Sequence, residues 1–227
     1  MKQKKYIPVI HSNLKRGIVK VPEVIYRASG ISILGTRIKS IIFTTDVALI
    51  KNHNAQAIMA VYPFTPQLTI TQAVLDVASV PVFAGVGGGV TSGVRSINLA
   101  FQSELLGVYG VVVNATMSLE VIREMKAMTD VPIIATIASP NEDVLAKIEA
   151  GAAILNISGA AKTVEMTRAI RKLVGPEFPI IATGGPTDET ILATIEAGAN
   201  AITFTPPTSA DLFSVSMQKY RDILSQK

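Results

Sequence analysis

One carboxylate in this sequence stands where acid-base chemistry could use it, and that residue is Asp46. It directly follows the apolar segment 40–45, which is typical of a buried β-strand. A carboxylate at the end of such a strand could act as a general base, or bind a metal ion together with Asn114 or Asn156. Asp is also one of the commonest N-caps, so Asp46 could instead cap a helix that begins at Val47. The sequence leaves both roles open, and the cap is the commoner of the two.

Asn114 and Asn156 each end a further apolar segment. An amide in this position can orient a polar ligand, or it can satisfy the backbone of the following loop. Hydroxyl groups end most of the other segments, and Tyr62 joins Asp46 as a strand-end residue that can titrate. Such a set binds a polar ligand well but supplies few strong acids or bases. No strand ends in a lysine for a Schiff base, and the nearby Lys162 is expected to be solvated.

Two glycine-rich turns could hold an anion, and the first of them is Gly184-Gly185. It follows a short apolar segment that ends at Thr183, and it precedes a helix that Thr187 or Asp188 can cap. The N–H groups at the start of a helix have no partner within the helix, so they favour negative charge. This turn therefore predicts a site for a phosphate or a carboxylate.

The second turn follows the third strand, where Gly85-Val86-Gly87-Gly88-Gly89 leads into Thr91, Ser92 and then Arg95. Several backbone amides, two hydroxyl groups and a guanidinium near one helix start could hold an anion at least as well as the first turn. The alternative is a flexible loop whose glycines only allow the chain to turn.

The chain repeats itself with a period of about fifty residues. Residues 132–158 align without a gap on residues 179–205, and Gly151 then falls on Gly198. The start of the same pattern occurs once more at 80–85. Each repeat is expected to hold two strands and two helices.

Eight short apolar runs recur along the chain, and each is continuous instead of alternating. Continuous runs are typical of parallel strands that are buried on both faces. Segments with the apolar spacing of helices separate them. This order predicts a (β/α)8 TIM barrel, with a doubly wound open sheet as the weaker alternative. The predicted strands are 40–45, 57–62, 80–85, 110–114, 132–137, 153–157, 179–183 and 201–205.

The predicted domain organisation is a single barrel over 39–227 with an N-terminal extension, 1–38, that packs on it. No linker rich in Pro, Gly or Ser and no block of charge divides the chain of 227 residues. Within the extension, the segment 30–38 is expected to plug the barrel floor or to join a subunit contact.

Composition narrows the range of partners. With 48% hydrophobic and 17% charged residues, some outer helix faces must be apolar, which predicts a homo-oligomer. The net charge of +4 is not gathered into a basic run, so a nucleic acid partner is not expected. No apolar run reaches the roughly 18–20 residues that span a bilayer, so no membrane partner is expected. The first lysines are not followed by a signal-peptide core, which predicts a cytoplasmic protein, and the lack of cysteine excludes thiolate chemistry.

The glycine pair after the seventh strand and the Ala-Gly-Ala start of the eighth resemble the phosphate-binding aldolase-type TIM barrels. That group includes keto-deoxy-phosphogluconate aldolase, thiamin phosphate synthase and the inosine monophosphate dehydrogenases. More closely, the chain resembles uncharacterised bacterial TIM-barrel proteins that are labelled as hydrolases. The resemblance implies a phosphate site between the turns after strands seven and eight. The eighth turn departs from the pattern, because two prolines without N–H groups follow Thr205 and leave Thr208 and Ser209 as donors.

These patterns predict an enzyme of lyase, isomerase or hydrolase type that acts on a small anionic metabolite, either phosphorylated or carboxylated. The alternative is a non-catalytic metabolite sensor or assembly subunit, which the scarcity of titratable groups favours. No cofactor is evident, and a divalent metal ion held by Asp46 with Asn114 or Asn156 stays open.

Overall fold

Strands and helices alternate along the described part of the chain, which comprises Tyr6, Pro8, Ile10 and residues 17–225 of a computed structural model. The strands are β1 Ile31–Ile33, β2 Thr36–Ile38, β3 Ser40–Phe43, β4 Ala57–Ala60, β5 Val82–Gly87, β6 Gly110–Val113, β7 Ile133–Ile137, β8 Ala152–Ile157, β9 Ile180–Thr183 and β10 Ala201–Phe204. The helices are α1 Val47–Lys51, α2 Leu68–Val77, α3 Val94–Leu106, α4 Leu119–Met128, α5 Val144–Glu149, α6 Thr163–Val174, α7 Asp188–Glu196 and α8 Ser209–Ser225.

Strands β3 to β10 form a closed parallel barrel, which confirms the predicted (β/α)8 fold. Each of the eight predicted strands is present, and its ends differ from the prediction by at most two residues. Closure occurs where β10 pairs with β3 in parallel, with Phe204 opposite Ile42. The strands are short apolar runs because the barrel interior buries one face of each strand and the helices bury the other.

The two faces of the strands pack into two separate apolar clusters. Ile41, Met59 and Phe83 point into the barrel and belong to the inner cluster. Their chain neighbours, such as Ile42 and Ile58, face the helices and belong to the outer cluster. This alternation has period two, as the pleat of a strand requires. The alternation also determines which residues at the carboxyl ends of the strands can reach a ligand in the mouth of the barrel.

The antiparallel hairpin β1–β2 closes the N-terminal end of the barrel. Ile31 and Ile38 of the hairpin are buried in the inner cluster together with the inward-facing strand residues. The backbone N–H of Gly30 donates to the carbonyl of Asn200 at 2.7 Å, which ties the hairpin to the start of β10. The segment 30–38 is therefore a plug of the barrel floor. The division of the chain at residue 38 stays a prediction, since most of residues 1–16 lie outside the described part.

A short 3-10 helix, Glu23–Arg27, covers the outer side of the seam between β10 and β3. Ile25 is fully buried and packs in the outer cluster with Ile42 and Ile202, one from each seam strand. The helix packs on α7, and the residues before it pair with the chain after α1, where the N–H of Val19 donates to the carbonyl of Asn52 at 2.9 Å. Residues 19–28 therefore fill the space between α7 and α1 on the barrel surface.

The internal repeat is confirmed as β7-α5-β8 and β9-α7-β10, but its helices differ in length. Thr187 is the N-cap of α7, with its hydroxyl group accepting from the N–H of Thr190. The aligned residue in the first copy is Pro140, which has no side-chain oxygen to cap a helix. Helix α5 consequently begins three aligned positions later, after Asp143 accepts from the N–H of Ala146 at 2.9 Å.

We expect Ile25→Ala to lower the free energy of unfolding by about 2–5 kcal/mol, because it leaves a cavity over the barrel seam. Arg27→Ala, on the exposed side of the same turn, should change it by less than about 0.5 kcal/mol. Urea denaturation followed by circular dichroism measures both. Equal losses in the two variants would show that the N-terminal segment does not cover the seam.

Candidate active site

A cavity of about 430 Å³ opens at the carboxyl ends of the barrel strands, where TIM barrels place their active sites. One side of the cavity is apolar and includes the loop that follows β4. Its apolar and aromatic lining residues are Phe43, Met59, Val61, Tyr62, Pro63, Phe64, Pro66, Val90 and Val112. The opposite side is polar and neutral, and it is formed by Asn114, Thr136, Asn156 and Ser158. We call this space the mouth cavity.

Asn156 lines this cavity and has a buried side-chain oxygen that lacks a hydrogen-bond partner among the described residues. It is the inward-facing residue near the end of β8 and is 7% exposed. Its Nδ2 donates to Oγ1 of Thr136 at 3.3 Å, whereas Oδ1 is buried and has no partner within the described residues. Such an unpaired buried group costs about 1–3 kcal/mol unless something else bonds to it. A rotation of the amide exchanges its two ends, so Asn156 can offer either an acceptor or a donor to a ligand.

Asn114, the second predicted amide, also lines the mouth cavity but is exposed. Its Oδ1 accepts from the N–H of Ala115 at 2.8 Å, so part of its function is to satisfy the loop backbone. The two predicted amides therefore lie in one cavity, although their burial and their bonding differ.

A buried ion pair lies beneath the polar side of the cavity, and the sequence patterns did not predict it. Lys147 of α5 is 5% exposed, and its ammonium group pairs with Glu142. The same Nζ donates to the carbonyl of Ala115 at 2.8 Å and to that of Thr136 at 3.1 Å. Glu142 also accepts from the N–H groups of Ala138 and Ser139 through its other oxygen. The pair thus joins the ends of β6 and β7 and fixes the loop before α5.

Lys147 is not placed to form a Schiff base, because its three donors are all used in these bonds. Lys162 is exposed, as expected for a solvated lysine. A signal for Lys147 does exist in the sequence: it lies between Val144 and Ile148 on the apolar face of a helix. The aligned residue of the second repeat is the buried Thr194, which supports the same orientation.

We expect Lys147→Met to lower the free energy of unfolding by about 1–3 kcal/mol, because the carbonyls of Ala115 and Thr136 would lose their donor and the partly buried Glu142 would lose its cation. Adding Glu142→Gln should recover part of that loss. Lys162→Met, at an exposed position, is the matched control and should have little effect. Urea denaturation tests all three variants, and a loss below about 1 kcal/mol for Lys147→Met would contradict a structural ion pair.

Asp46 caps helix α1, which is one of the two roles that the sequence left open. Its Oδ1 accepts from the N–H of Ala48 at 2.8 Å and of Leu49 at 3.2 Å. Its Oδ2 accepts from the hydroxyl group of Ser209 at 2.5 Å, at the start of α8. The bond from Ser209 is the main reason that the pKa of Asp46 lies below its ordinary value. The side chain is not among the residues that line the mouth cavity.

Asp46→Ala should lower the free energy of unfolding by about 0.5–2 kcal/mol at pH 7, and Asp46→Asn by less, because Asn also caps helices. Since the folded-state pKa is lowered, this contribution is present above the unfolded pKa of about 4 and disappears as the pH falls through the folded value. Urea denaturation at pH 7 and pH 3 measures the change.

Turnover then separates the two roles of Asp46 once a substrate is found. Wild-type turnover by Asp46→Asn assigns the residue as a cap alone. Loss of turnover with ligand affinity kept within a few fold assigns it as a general base, because the amide cannot take a proton.

The glycine-rich turn after β5 is held tightly against its neighbours. Gly88 has φ of +102°, and a Cβ there would lie 2.7 Å from the backbone nitrogen of Asn114. A Cβ at Gly87 would meet the hydroxyl group of Ser96. Gly89 has open space around it and borders the mouth cavity. Packing alone therefore requires glycine at positions 87 and 88, whether or not the turn binds an anion.

Of the side chains that follow this turn, Ser92 and Arg95 do not line the mouth cavity. Ser92 is exposed, and its hydroxyl group lies 3.9 Å from the sulfur of Met117. Arg95 lines a separate surface groove between α2 and α3, together with Leu68 and Leu99. Thr91, which is buried, lines the mouth cavity instead and donates to Thr65 at 3.0 Å.

The turn after β9 borders a second cavity of about 570 Å³, which we call the β9–β10 groove. Thr183, Gly185 and Thr205 of the predicted phosphate site line it. Gly184 lies behind it, where a Cβ would meet Ile202 at 2.7 Å. The inward-facing Thr203 also lines the groove, and its buried Oγ1 has no partner within the described part of the chain.

Thr208 and Ser209, the remaining predicted donors, bond to carboxylates. The hydroxyl group of Thr208 donates to Asp211 at 2.6 Å, and this bond lowers the pKa of Asp211. Ser209 donates to Asp46, as described above. Both hydroxyl groups are therefore engaged at the start of α8, and the nearby negative charges disfavour an anion there.

The donors around the mouth cavity do not form a typical divalent metal site. No group of three or more His, Asp or Glu residues that could hold a metal ion occurs among the described residues. The cavity offers amide and hydroxyl oxygens, whereas Mg²⁺ and Ca²⁺ sites in proteins are usually built on carboxylates.

No described helix is both long enough and apolar enough to cross a membrane.

Comparison of the sequence with models of protein families and with curated proteins gave no match. Solved structures with a similar fold include a phosphonopyruvate hydrolase in complex with oxalate and Mg²⁺, with TM-score 0.60 and 16% identity over 84% of this chain and 82% of that one. A phosphoenolpyruvate phosphomutase from Streptomyces platensis subsp. rosaceus has TM-score 0.61 and 16% identity over 89% and 86%.

A third structure is 2,3-dimethylmalate lyase, a member of the PEP mutase/isocitrate lyase superfamily, with TM-score 0.60 and 14% identity over 90% of this chain and 85% of that one. At these identities the likeness establishes the fold alone. The resemblance to aldolase-type TIM barrels is thereby confirmed at the level of barrel architecture.

Proposed function

We propose that this chain is an enzyme of lyase, isomerase or hydrolase type that binds a small phosphorylated or carboxylated metabolite in the mouth cavity. The observation that carries the proposal is the unpaired polar end of Asn156, which is buried and lines a cavity at the catalytic end of the barrel. A ligand that completes this bond removes the cost of burying it.

The neutral polar side of the cavity suits an anionic ligand. No described residue that lines the cavity is an Asp or a Glu, so no carboxylate repels a bound anion. The hydroxyl groups of Thr136 and Ser158 and the amide of Asn156 can donate to its oxygens. The structural neighbours add support, since their names describe enzymes of phosphonopyruvate, phosphoenolpyruvate and dimethylmalate, which are small anions.

Tyr62 is the residue of the cavity lining with a titratable proton to give. Its hydroxyl oxygen accepts from the N–H of Gln67 at 2.8 Å, which holds the ring in place. Because that bond uses the oxygen as an acceptor, the phenolic proton is free to be donated to a ligand. We assign Tyr62 the role of general acid. The anionic end of the ligand would then lie against Asn156 and Thr136. Asp46 remains the candidate general base only if turnover depends on it.

The proposed ligand site keeps only those residues of the two glycine-rich turns that border a cavity. Among the glycines of the two predicted anion sites, Gly87 and Gly89 border the mouth cavity and Gly185 borders the β9–β10 groove. The unpaired hydroxyl group of Thr203 supports the groove as a site for a second anionic group of the same ligand.

We expect Asn156→Leu to weaken the binding of oxalate or inorganic phosphate by at least about tenfold, because the ligand loses its buried hydrogen-bond partner. Without ligand, the free energy of unfolding should stay the same or rise by up to about 1 kcal/mol, because an unpaired polar group is replaced by an apolar one. Isothermal titration calorimetry and urea denaturation measure the two effects.

Asn98→Leu on the exposed face of α3 is the matched control and should change neither quantity. Unchanged binding by Asn156→Leu, or a loss of stability above about 2 kcal/mol, would contradict the proposed site. Mass spectrometry of the purified protein for a bound metabolite then names the substrate class. A metabolite that binds tightly but is never converted would favour the sensor over the enzyme.

A further inference from the structure

Helix α8 packs unlike the other helices of the barrel. It is 17 residues long, and none of its residues is buried. Its first residue is joined to the barrel by the bond from Ser209 to Asp46. In a (β/α)8 barrel the last helix normally covers the outer side of the last and first strands. Here residues 19–28 fill that space, with Ile25 fully buried against both seam strands.

The apolar side chains of α8 form a continuous stripe. At 100° per residue, its six members lie within an arc of about 140° along the whole helix. Phe213, Tyr220 and Leu224 are 67%, 58% and 68% exposed. The opposite face carries polar and charged side chains such as Ser214 and Gln218. The members of this α8 stripe are Leu212, Phe213, Met217, Tyr220, Ile223 and Leu224.

We propose that the α8 stripe is covered by the same stripe of a second copy of this chain, with the two helices antiparallel. The space on its own barrel is already filled by residues 19–28, and no segment of the described part of the chain buries the stripe. A patch that pairs with itself closes a two-fold dimer, the commonest oligomer. This surface is independent of the mouth cavity and of the proposed activity.

The area of the stripe is sufficient for such a dimer. From the exposed fractions of its side chains, pairing would remove roughly 600 Å² per copy, or about 1,200 Å² in total. That total lies at the lower end of stable protein interfaces. Two of the six side chains are aromatic, the type enriched at interface centres.

The dipoles of the two helices favour the antiparallel arrangement. It brings the positive N-terminal end of one helix beside the negative C-terminal end of the other, whereas a parallel pair places like ends together. The acidic residues Asp211 and Asp222 lie on the face opposite the stripe, so no carboxylate of α8 is buried by the pairing. With two acidic and two basic residues, α8 also lacks the basic polar face of helices that bind anionic membranes.

Light scattering of the full chain at about 50 µM should give twice the monomer mass of 24.1 kDa. Phe213→Ser combined with Tyr220→Ser should raise the dissociation constant at least about 100-fold and give the monomer mass. Val215→Ser changes an exposed apolar residue about 130° away from the centre of the stripe, and it should remain dimeric. Circular dichroism checks that the variants are folded, which is expected because α8 buries no side chain.

The chain has no cysteine, so single cysteines report the arrangement of the pair. Met217→Cys, near the middle of the stripe, should form a disulfide-linked dimer under mild oxidation. Phe213→Cys should not link to itself, because antiparallel pairing separates its two copies by about 16 Å along the helix, but it should link to Leu224→Cys. A monomeric wild type, or a dimer that survives the double serine variant, would overturn the proposal. Self-linking by Phe213→Cys would overturn the antiparallel arrangement.

Discussion

The rest of the structure depends on how the barrel covers its seam. Pairing of β10 with β3 closes the eight strands, and the outward-facing Ile202 and Ile42 must then be kept from water. Residues 19–28 supply that cover through Ile25, ahead of the barrel in sequence. This cover of the seam by residues 19–28 has two consequences. The hairpin β1–β2 is led directly onto the barrel floor, and α8 buries none of its residues against the described part of the chain.

At the opposite end of the barrel, the mouth cavity combines a neutral lining with a fully bonded ion pair beneath it. Lys147 and Glu142 hold the loops after β6 and β7, yet their charges are compensated within the protein. The amide of Asn156, whose oxygen has no partner among the described residues, stands next to this rigid support. In the function that we propose, such a site would orient a polar ligand through fixed hydrogen bonds, and the proton transfers would depend on Tyr62 and on the substrate itself.

In the glycine-rich turns, either close packing or the approach of a ligand can be the reason that a position must be glycine. Gly87 and Gly88 are required because Ser96 and the backbone of Asn114 approach too closely for a Cβ. Gly184 is required by Ile191 and Ile202. Gly87 and Gly89 border the mouth cavity, and Gly185 borders the β9–β10 groove, but among these three only Gly89 has no neighbour that a Cβ would meet. The number of glycines in a turn therefore does not indicate the size of an anion site, because several of them are required by the packing of the turn itself.

The sequence by itself determined the barrel, because continuous apolar runs and an ungapped repeat identify eight buried parallel strands without any knowledge of contacts. It also placed Asn114 and Asn156 in one cavity, since the carboxyl ends of parallel strands meet at one end of a barrel. Tertiary structure alone decided the direction of Asp46, whose carboxylate turns to Ala48, Leu49 and Ser209, a residue 163 positions away. It also decided the burial of Lys147 and the exposure of α8. For Lys147, the spacing of its helix indicates an inward-facing position but does not identify the partner that neutralises its charge. For Asp46 and α8, the outcome depends on which distant segment occupies the neighbouring space, and local spacing carries no information about that.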